Sequence, residues 1–212
     1  MRCEQPGAWH SGVRHSWHCR AVLLIGTFGP PFPRYLFRSK LLDLVGPQPE
    51  ARYLKFTTYM NPTLTPNQVH QPGSSFRWPY VEGVTIEEAQ NELAFFTVGL
   101  YQNPINASNG GPLRVTLPWK YGLKSIKSIK SIEFTTERPV GFWGHAAASE
   151  YGFWANVNPE VPHRRWSQAT ERKIVDDAYT RQRDDTLLFN SYEAEVAYLY
   201  ENMDEDVEDL WH

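Results

Sequence analysis

The longest apolar run in the chain, Ala21–Phe28, is interrupted by Gly26 and Thr27 and stopped by Gly29-Pro30-Pro31. A helix needs about 20 consecutive apolar residues to cross a bilayer, so no segment reads as a membrane span. Every other apolar stretch is shorter still, and 16 Pro and 14 Gly punctuate the 212 residues. Such a chain can build short strands and short helices. With 41% hydrophobic and 14% aromatic residues, it is too apolar to remain disordered and has enough material for a real core. The length suits one domain or two small ones.

Charge and cysteine usage remove several function classes. Lys and Arg total 21 against 24 Asp and Glu, a net charge of −3, which excludes an overall polycation built for nucleic acid. The only cysteines, Cys3 and Cys19, rule out a disulfide-dense scaffold and any four-cysteine zinc or iron–sulfur site. The two ends are biased in opposite senses. Arg2, Arg14, Arg20, Arg34, Arg38 and Lys40 face Glu4 alone near the start, whereas residues 191–212 carry acids and neither Lys nor Arg. Terminal bias of this kind marks solvated ends. Residues 1–38 show no helical or strand periodicity and read as an irregular segment. Basic residues do precede Ala21–Phe28, but no small-x-small cleavage site follows, so no export signal is recognisable.

From Ser39 onward the pattern is that of ordered protein, with an acidic tail over 201–212. Leu41–Val45 reads as a helix end stopped by Gly46-Pro47. Tyr53–Tyr59 alternates and is rich in Thr and aromatics, which predicts a strand. Thr85-Ile86-Glu87-Glu88 is a capping box opening a short helix to about Glu92. Phe95–Tyr101 and Leu113–Leu117 predict further strands, separated by a turn over Asn106–Gly111. Ser167 predicts a helix through about Ala178, and Glu193–Glu201 a second one with Val196, Leu199 and Tyr200 inward. Strands and helices alternate without a regular βαβ rhythm, so the expected class is α+β, with mixed sheets and short helices.

The repeat Lys124-Ser125-Ile126-Lys127-Ser128-Ile129-Lys130-Ser131-Ile132 has a period of three, which fits neither a strand nor an α-helix. No single face is therefore expected to collect its three isoleucines. The repeat reads either as a loop-to-strand transition or as a loop whose amides and lysines, with Lys120 nearby, surround an anion. Asn109 in its turn and Arg114 on the following strand extend that anion-binding set, because Arg offers a planar fork for phosphate. Other chemistry finds little support. His10, His15, His18, Cys19 and Cys3 could ligate zinc, but their spacings match no standard finger. There is no Gly-x-Ser-x-Gly elbow, Gly-x-Gly-x-x-Gly or P-loop. Trp78, Tyr80, Trp119, Tyr121, Trp154 and Trp166 could stack bases, but core packing or the walls of a cofactor cleft suit the neutral middle of the chain better.

Beyond this bottom-up reading lies a resemblance. FRWPYVEGVTIEEA (Phe76–Ala89), FFTVGLY (Phe95–Tyr101), NGGPLRVTLPWKYGLKSIKSI (Asn109–Ile129), EYGFWANVNPEVPHRRWSQATER (Glu150–Arg172) and TLLFNSYEAEVAYLY (Thr186–Tyr200) resemble the sulfite oxidase superfamily. Within it they are most similar to the catalytic subunits of bacterial protein-methionine-sulfoxide reductases. The likeness covers 39–200 and corresponds to the C-terminal part of such a subunit. It implies a sulfite-oxidase-type molybdopterin-binding domain there, flanked by 1–38 and 201–212. It also implies molybdopterin with molybdenum as cofactor and reduction of methionine sulfoxide in oxidised proteins by oxygen-atom transfer. Electrons would come from a membrane-bound haem subunit, and the compartment would be the periplasm. By position, Thr58, Asn109 and Arg114 fall on the family's cofactor contacts, and Ser125, Ile126 and Lys127 on its phosphate loop, where Ser125 replaces a usual Gly. Cys19 is the only cysteine near the place of the family's molybdenum-binding thiolate, and the family's motif after it is absent. The other reading is a truncated or decayed relative that keeps part of the fold and an anion site without catalysis.

Overall fold

The computed structural model describes the backbone of 20–21 and 35–37, and residues 42, 44–69, 72, 74–100, 103–172, 183–204 and 209–212. The histidine and cysteine positions of the N-terminal zinc set, and Cys19 in its molybdenum role, lie outside the described residues.

An antiparallel four-stranded sheet forms the centre, ordered β1 (Arg20–Ala21), β9 (Ile129–Thr135), β3 (Tyr53–Thr58), β4 (Val81–Thr85). β3 alternates as its sequence predicts, sending Leu54, Phe56 and Thr58 inward. A second sheet pairs β2 (Tyr35–Phe37), β5 (Phe95–Thr97) and β8 (Arg114–Thr116). Phe56 from the first sheet and Phe96 from the second meet edge to face, 6.3 Å between centroids, a favoured aromatic geometry. Strands mixed with short helices place the molecule in the α+β class, as expected.

Local signals hold where they are self-contained. Thr85 Oγ1 accepts the Glu88 amide at 3.1 Å, and the Glu88 carboxylate accepts the Thr85 amide at 3.0 Å. This capping box opens the helix Ile86–Gln90. Leu42, Leu44 and Val45 are helical, and Gly46 closes the turn at φ +62°, its amide donating to the Leu42 carbonyl at 2.9 Å. That left-handed cap is the role glycine fills without steric cost.

Three expectations are revised. Phe95–Tyr101 is not one strand: β5 ends at Thr97, and β6 (Gly99–Leu100) pairs with β7 (Asn103–Pro104). A Cβ at Gly99 would lie 3.0 Å from the Asn103 carbonyl oxygen, so the two strands approach closely at that glycine. Ser167 does not start a helix; its hydroxyl accepts the Ala169 amide at 3.2 Å, a local turn that competes with helix formation. The chain then enters β10 (Thr170–Arg172), paired with β11 (Arg183–Asp185); residues 173–178 lie outside the described residues. Finally, all three repeat isoleucines are inside: Ile126, Ile129 and Ile132 are buried. Ser128 sits at φ +50°, and a register shift at Thr57/Thr58 lets Ile129 and Ile132 both face inward from β9. A bulge restores inward orientation that strict alternation would deny. The repeat is thus a loop-to-strand junction. The helix Glu193–Val196 continues as a 3-10 turn over Ala197–Leu199, with Val196 and Tyr200 buried.

Candidate functional site

Four segments converge at the end of β3. The Asn106 side chain starts the first of them, accepting the Asn109 amide at 2.8 Å while its own carbonyl accepts the Gly111 amide at 2.8 Å. This curls the turn 106–111 and places Gly110 at φ +107°. Glycine is required there twice over. The left-handed backbone favours it, and a Cβ would lie 2.8 Å from Lys127 Cγ and 3.1 Å from Arg114 Cδ. Gly110 is therefore the floor on which the Arg114 and Lys127 side chains rest.

The remaining segments are tied to that turn by hydrogen bonds. Arg114, opening β8, donates from Nη1 to the Asn109 carbonyl at 3.2 Å. Lys127 donates from Nζ to the Ser108 carbonyl at 2.8 Å. Thr58, buried at the end of β3, donates from Oγ1 to the Lys127 carbonyl at 2.8 Å. Ser128 donates its hydroxyl to the Gly111 carbonyl and its amide to the Gly110 carbonyl, both at 2.9 Å. Tyr59 donates its amide to the Ser128 carbonyl at 2.8 Å. Thr58, Asn109, Arg114 and Lys127 are thereby brought together.

Ser125 and Ile126 occupy the same loop in a different way. The Ser125 amide donates to the Gly122 carbonyl at 3.1 Å and the Ile126 amide to the Lys124 carbonyl at 3.0 Å. The Ile126 side chain is buried in the core, and the Ser125 hydroxyl accepts the Leu117 amide at 3.4 Å. Both residues anchor the loop, and Lys127 is the one that turns toward Asn109.

The electrostatics single this place out. Arg114 and Lys127 approach one another over Gly110, yet among the described residues neither pairs with a carboxylate; each donates to a backbone carbonyl. Like charges brought to one turn repel unless an anion joins them, and a guanidinium with an ammonium on the same turn suits phosphate.

Lys120 and Lys124 do not belong to this anion set, contrary to the sequence expectation. Both are buried. Lys120 Nζ lies 2.5 Å from Glu88 Oε1 and donates to the Trp154 carbonyl (2.8 Å) and Asn156 Oδ1 (2.7 Å). Tyr200 donates to the same Glu88 oxygen at 2.7 Å and accepts the Trp119 indole at 2.8 Å. Lys124 pairs with Glu82 at 2.9 Å and donates to the Phe153 carbonyl at 2.6 Å. Burial lowers the Lys120 ammonium to about 8 against the opposing pull of Glu88. Burial alone would raise the Glu88 carboxyl, but Lys120, Tyr200 and Lys124 hold it below its ordinary value. Burial keeps the Glu82 carboxyl above its ordinary value despite Lys124. The signal for this buried network was two lysines four apart amid Leu117, Trp119, Tyr121 and Leu123, an apolar setting that solvated lysines rarely share.

A cavity of about 1000 Å³ lies elsewhere, lined by residues such as Lys55, Val81, Phe134, Arg138 and His145. It contains none of the candidate cofactor or metal residues named from the sequence. The two cations make the stronger case for a ligand, because among the described residues neither has a carboxylate partner. Among the described residues, no group of three His, Cys, Asp or Glu could hold a metal, and no helix is long and apolar enough to cross a membrane.

Comparison with known proteins bears on the same region. The family model described as oxidoreductase molybdopterin binding domain matches residues 36–143, which include Thr58, Asn109, Arg114 and the Ser125–Lys127 loop. The protein-methionine-sulfoxide reductase catalytic subunit MsrP of Campylobacter jejuni is 48% identical over 165 residues, 78% of this chain and 54% of that protein. The chain thus spans about half the length of the curated relative it matches. With more than half of its residues matched and its cation-lined turn inside that match, the chain belongs to the oxidoreductase molybdopterin binding domain family, within the sulfite oxidase superfamily.

Proposed function

We propose that this chain carries the pterin-holding part of a molybdopterin-dependent oxidoreductase that reduces methionine sulfoxide residues in proteins by oxygen-atom transfer. One observation carries the reading: the Arg114 and Lys127 side chains both lie against Gly110 with carbonyl partners and, among the described residues, no carboxylate. That donor set fits the phosphate of a molybdopterin. Thr58 and Asn109 border it and are read as contacts to the pterin itself. Ser125 and Ile126 shape the loop that presents Lys127. In this reading 39–200 is the cofactor domain, 1–38 and 201–212 border it in sequence with β1 and β2 of the first paired onto its sheets, and Cys19 supplies the thiolate for molybdenum, a ligand type suited to a soft redox metal.

Bound at this place, the molybdenum cofactor supplies the redox chemistry that removes the sulfoxide oxygen. The chain's own share is to bind and orient. The cations neutralise the phosphate, and the Thr58–Lys127 and Ser128–Gly111 bonds hold the turn and the loop in register. The substrate would be the polar sulfoxide lesion of oxidised proteins. A membrane-bound haem subunit would deliver electrons in the periplasm; the similarity to the reductase subunit supports both.

The test is reduction of protein-bound methionine sulfoxide by purified chain, expressed with cofactor supply and driven by a chemical electron donor. The reading expects turnover, with loss of molybdenum and of activity in Cys19→Ala. Pterin binding without turnover would favour the non-catalytic relative. Protein containing neither pterin nor molybdenum would contradict the cofactor role.

A further inference from the structure

Tyr80 stands apart from the residues named for the anion site, yet it touches both walls of that site. Its carbonyl accepts the Thr58 amide at 2.9 Å. Its hydroxyl donates to the Leu123 carbonyl at 2.8 Å, within the turn Gly122–Lys124 that leads directly into Ser125-Ile126-Lys127. The ring stacks on Phe142 at 4.6 Å with an interplanar angle of 17°. A phenol stacked on a neighbouring ring and donating to a fixed carbonyl is held in one orientation. Two residues on, Glu82 grips Lys124 at 2.9 Å. The segment Tyr80–Glu82 thus holds Leu123 and Lys124 with two side chains while its backbone holds Thr58.

We propose that Tyr80 is a positioning residue of the anion site, fixing the spacing between Thr58 and the Ser125–Lys127 loop so that Lys127 and Arg114 face a phosphate in one arrangement. The inference rests on the reading of that site as a phosphate seat. Donors held in place before the ligand arrives bind more tightly, since less freedom is lost on binding. Removing the phenolic oxygen releases the Leu123 carbonyl and leaves the ring stack intact. The loop then loses its tie while the core keeps its packing.

The experiment uses the full chain and inorganic phosphate as probe, comparing wild type, Tyr80→Phe and Thr135→Val. The last removes a hydroxyl that donates to the Glu137 carbonyl, away from the site. Tyr80→Phe is expected to weaken phosphate binding about tenfold, to speed amide exchange at Ser125 and Ile126, and to keep its thermal midpoint within about 3 °C of wild type. Thr135→Val is expected to bind as wild type does. Wild-type affinity in Tyr80→Phe would overturn the role of Tyr80 and leave the phosphate seat standing. A wild-type chain that binds no phosphate would overturn the seat itself, and this inference with it. Should Tyr80→Phe fail to fold, Phe142→Leu removes the ring on which the Tyr80 phenol stacks and loosens its orientation. A loss of about threefold then supports the role, and unchanged affinity overturns it.

Discussion

Gly110, Arg114 and Lys127 make the sharpest claims at the scale of single residues. Gly110→Ala puts a methyl group against Lys127 and Arg114 at φ +107°. The backbone cost alone is about 1–3 kcal/mol, and the two cations must move apart. Thermal unfolding should register the destabilisation, and phosphate binding should fall further than the stability loss explains. Arg114→Gln and Lys127→Gln each remove one charge-assisted donor, so each should weaken phosphate binding roughly tenfold or more while leaving the fold intact. Wild-type affinity in both variants would remove these residues from the site. Asn109 was legible from its turn alone, because an Asx residue before Gly-Gly carries its own conformational signal. Charge and closeness in sequence group Arg114 with the lysine repeat. That Lys127 is the lysine lying against Gly110 is not legible there, because Ser128 turns the chain at φ +50° and nothing local in the repeat announces that turn.

At the scale of elements, one helix does two jobs. The Glu88 carboxylate closes the capping box with one oxygen and takes Lys120 and Tyr200 with the other. Removing a single partner leaves a buried charge uncompensated, so Lys120→Met or Glu88→Gln should each cost about 3–5 kcal/mol. The double variant should cost less than the sum, because it removes both charges together. Chemical denaturation of the three variants measures this. The pH dependence has a definite sign. The folded Glu88 carboxyl sits below its ordinary 4.5, so on acidification the unfolded chain binds protons first. The stabilisation from Glu88 is therefore complete above pH 4.5 and lost as pH falls through the lower folded value. Relative to wild type, Glu88→Gln should show a flatter loss of stability below pH 4.5; identical acid limbs would contradict this. The capping box and the alternation of β3 could be read from the sequence because each depends on neighbours within a few residues. The partners of Lys120 and Lys124 lie on a helix, a strand and loops distant in sequence, and no local pattern couples such positions. The helix expected after Ser167 failed for a related reason: the serine hydroxyl found a closer amide in a turn.

For the molecule as a whole, two sheets and their loops put the proposed phosphate seat at the end of β3, where β8 and the loop into β9 arrive together. The α+β class, β3, β5 and β8 followed from short, punctuated apolar runs; β4, β10 and β11 did not. The anion-binding set was legible in outline from Asn109, Arg114 and the lysine repeat; which lysine completes it depends on the tertiary fold that joins the 106–111 turn to the Ser125–Lys127 loop. Matching about half the length of its relative, the chain contains the family's match at 36–143, and that portion includes every described residue assigned to the seat. The most direct measurement is the molybdopterin content of the full chain purified from cells that make the cofactor, beside that of the Arg114→Gln, Lys127→Gln double variant. The account predicts pterin retained by the wild type and lost from a double variant that remains folded. Equal pterin in both proteins, or none in the wild type, would contradict it.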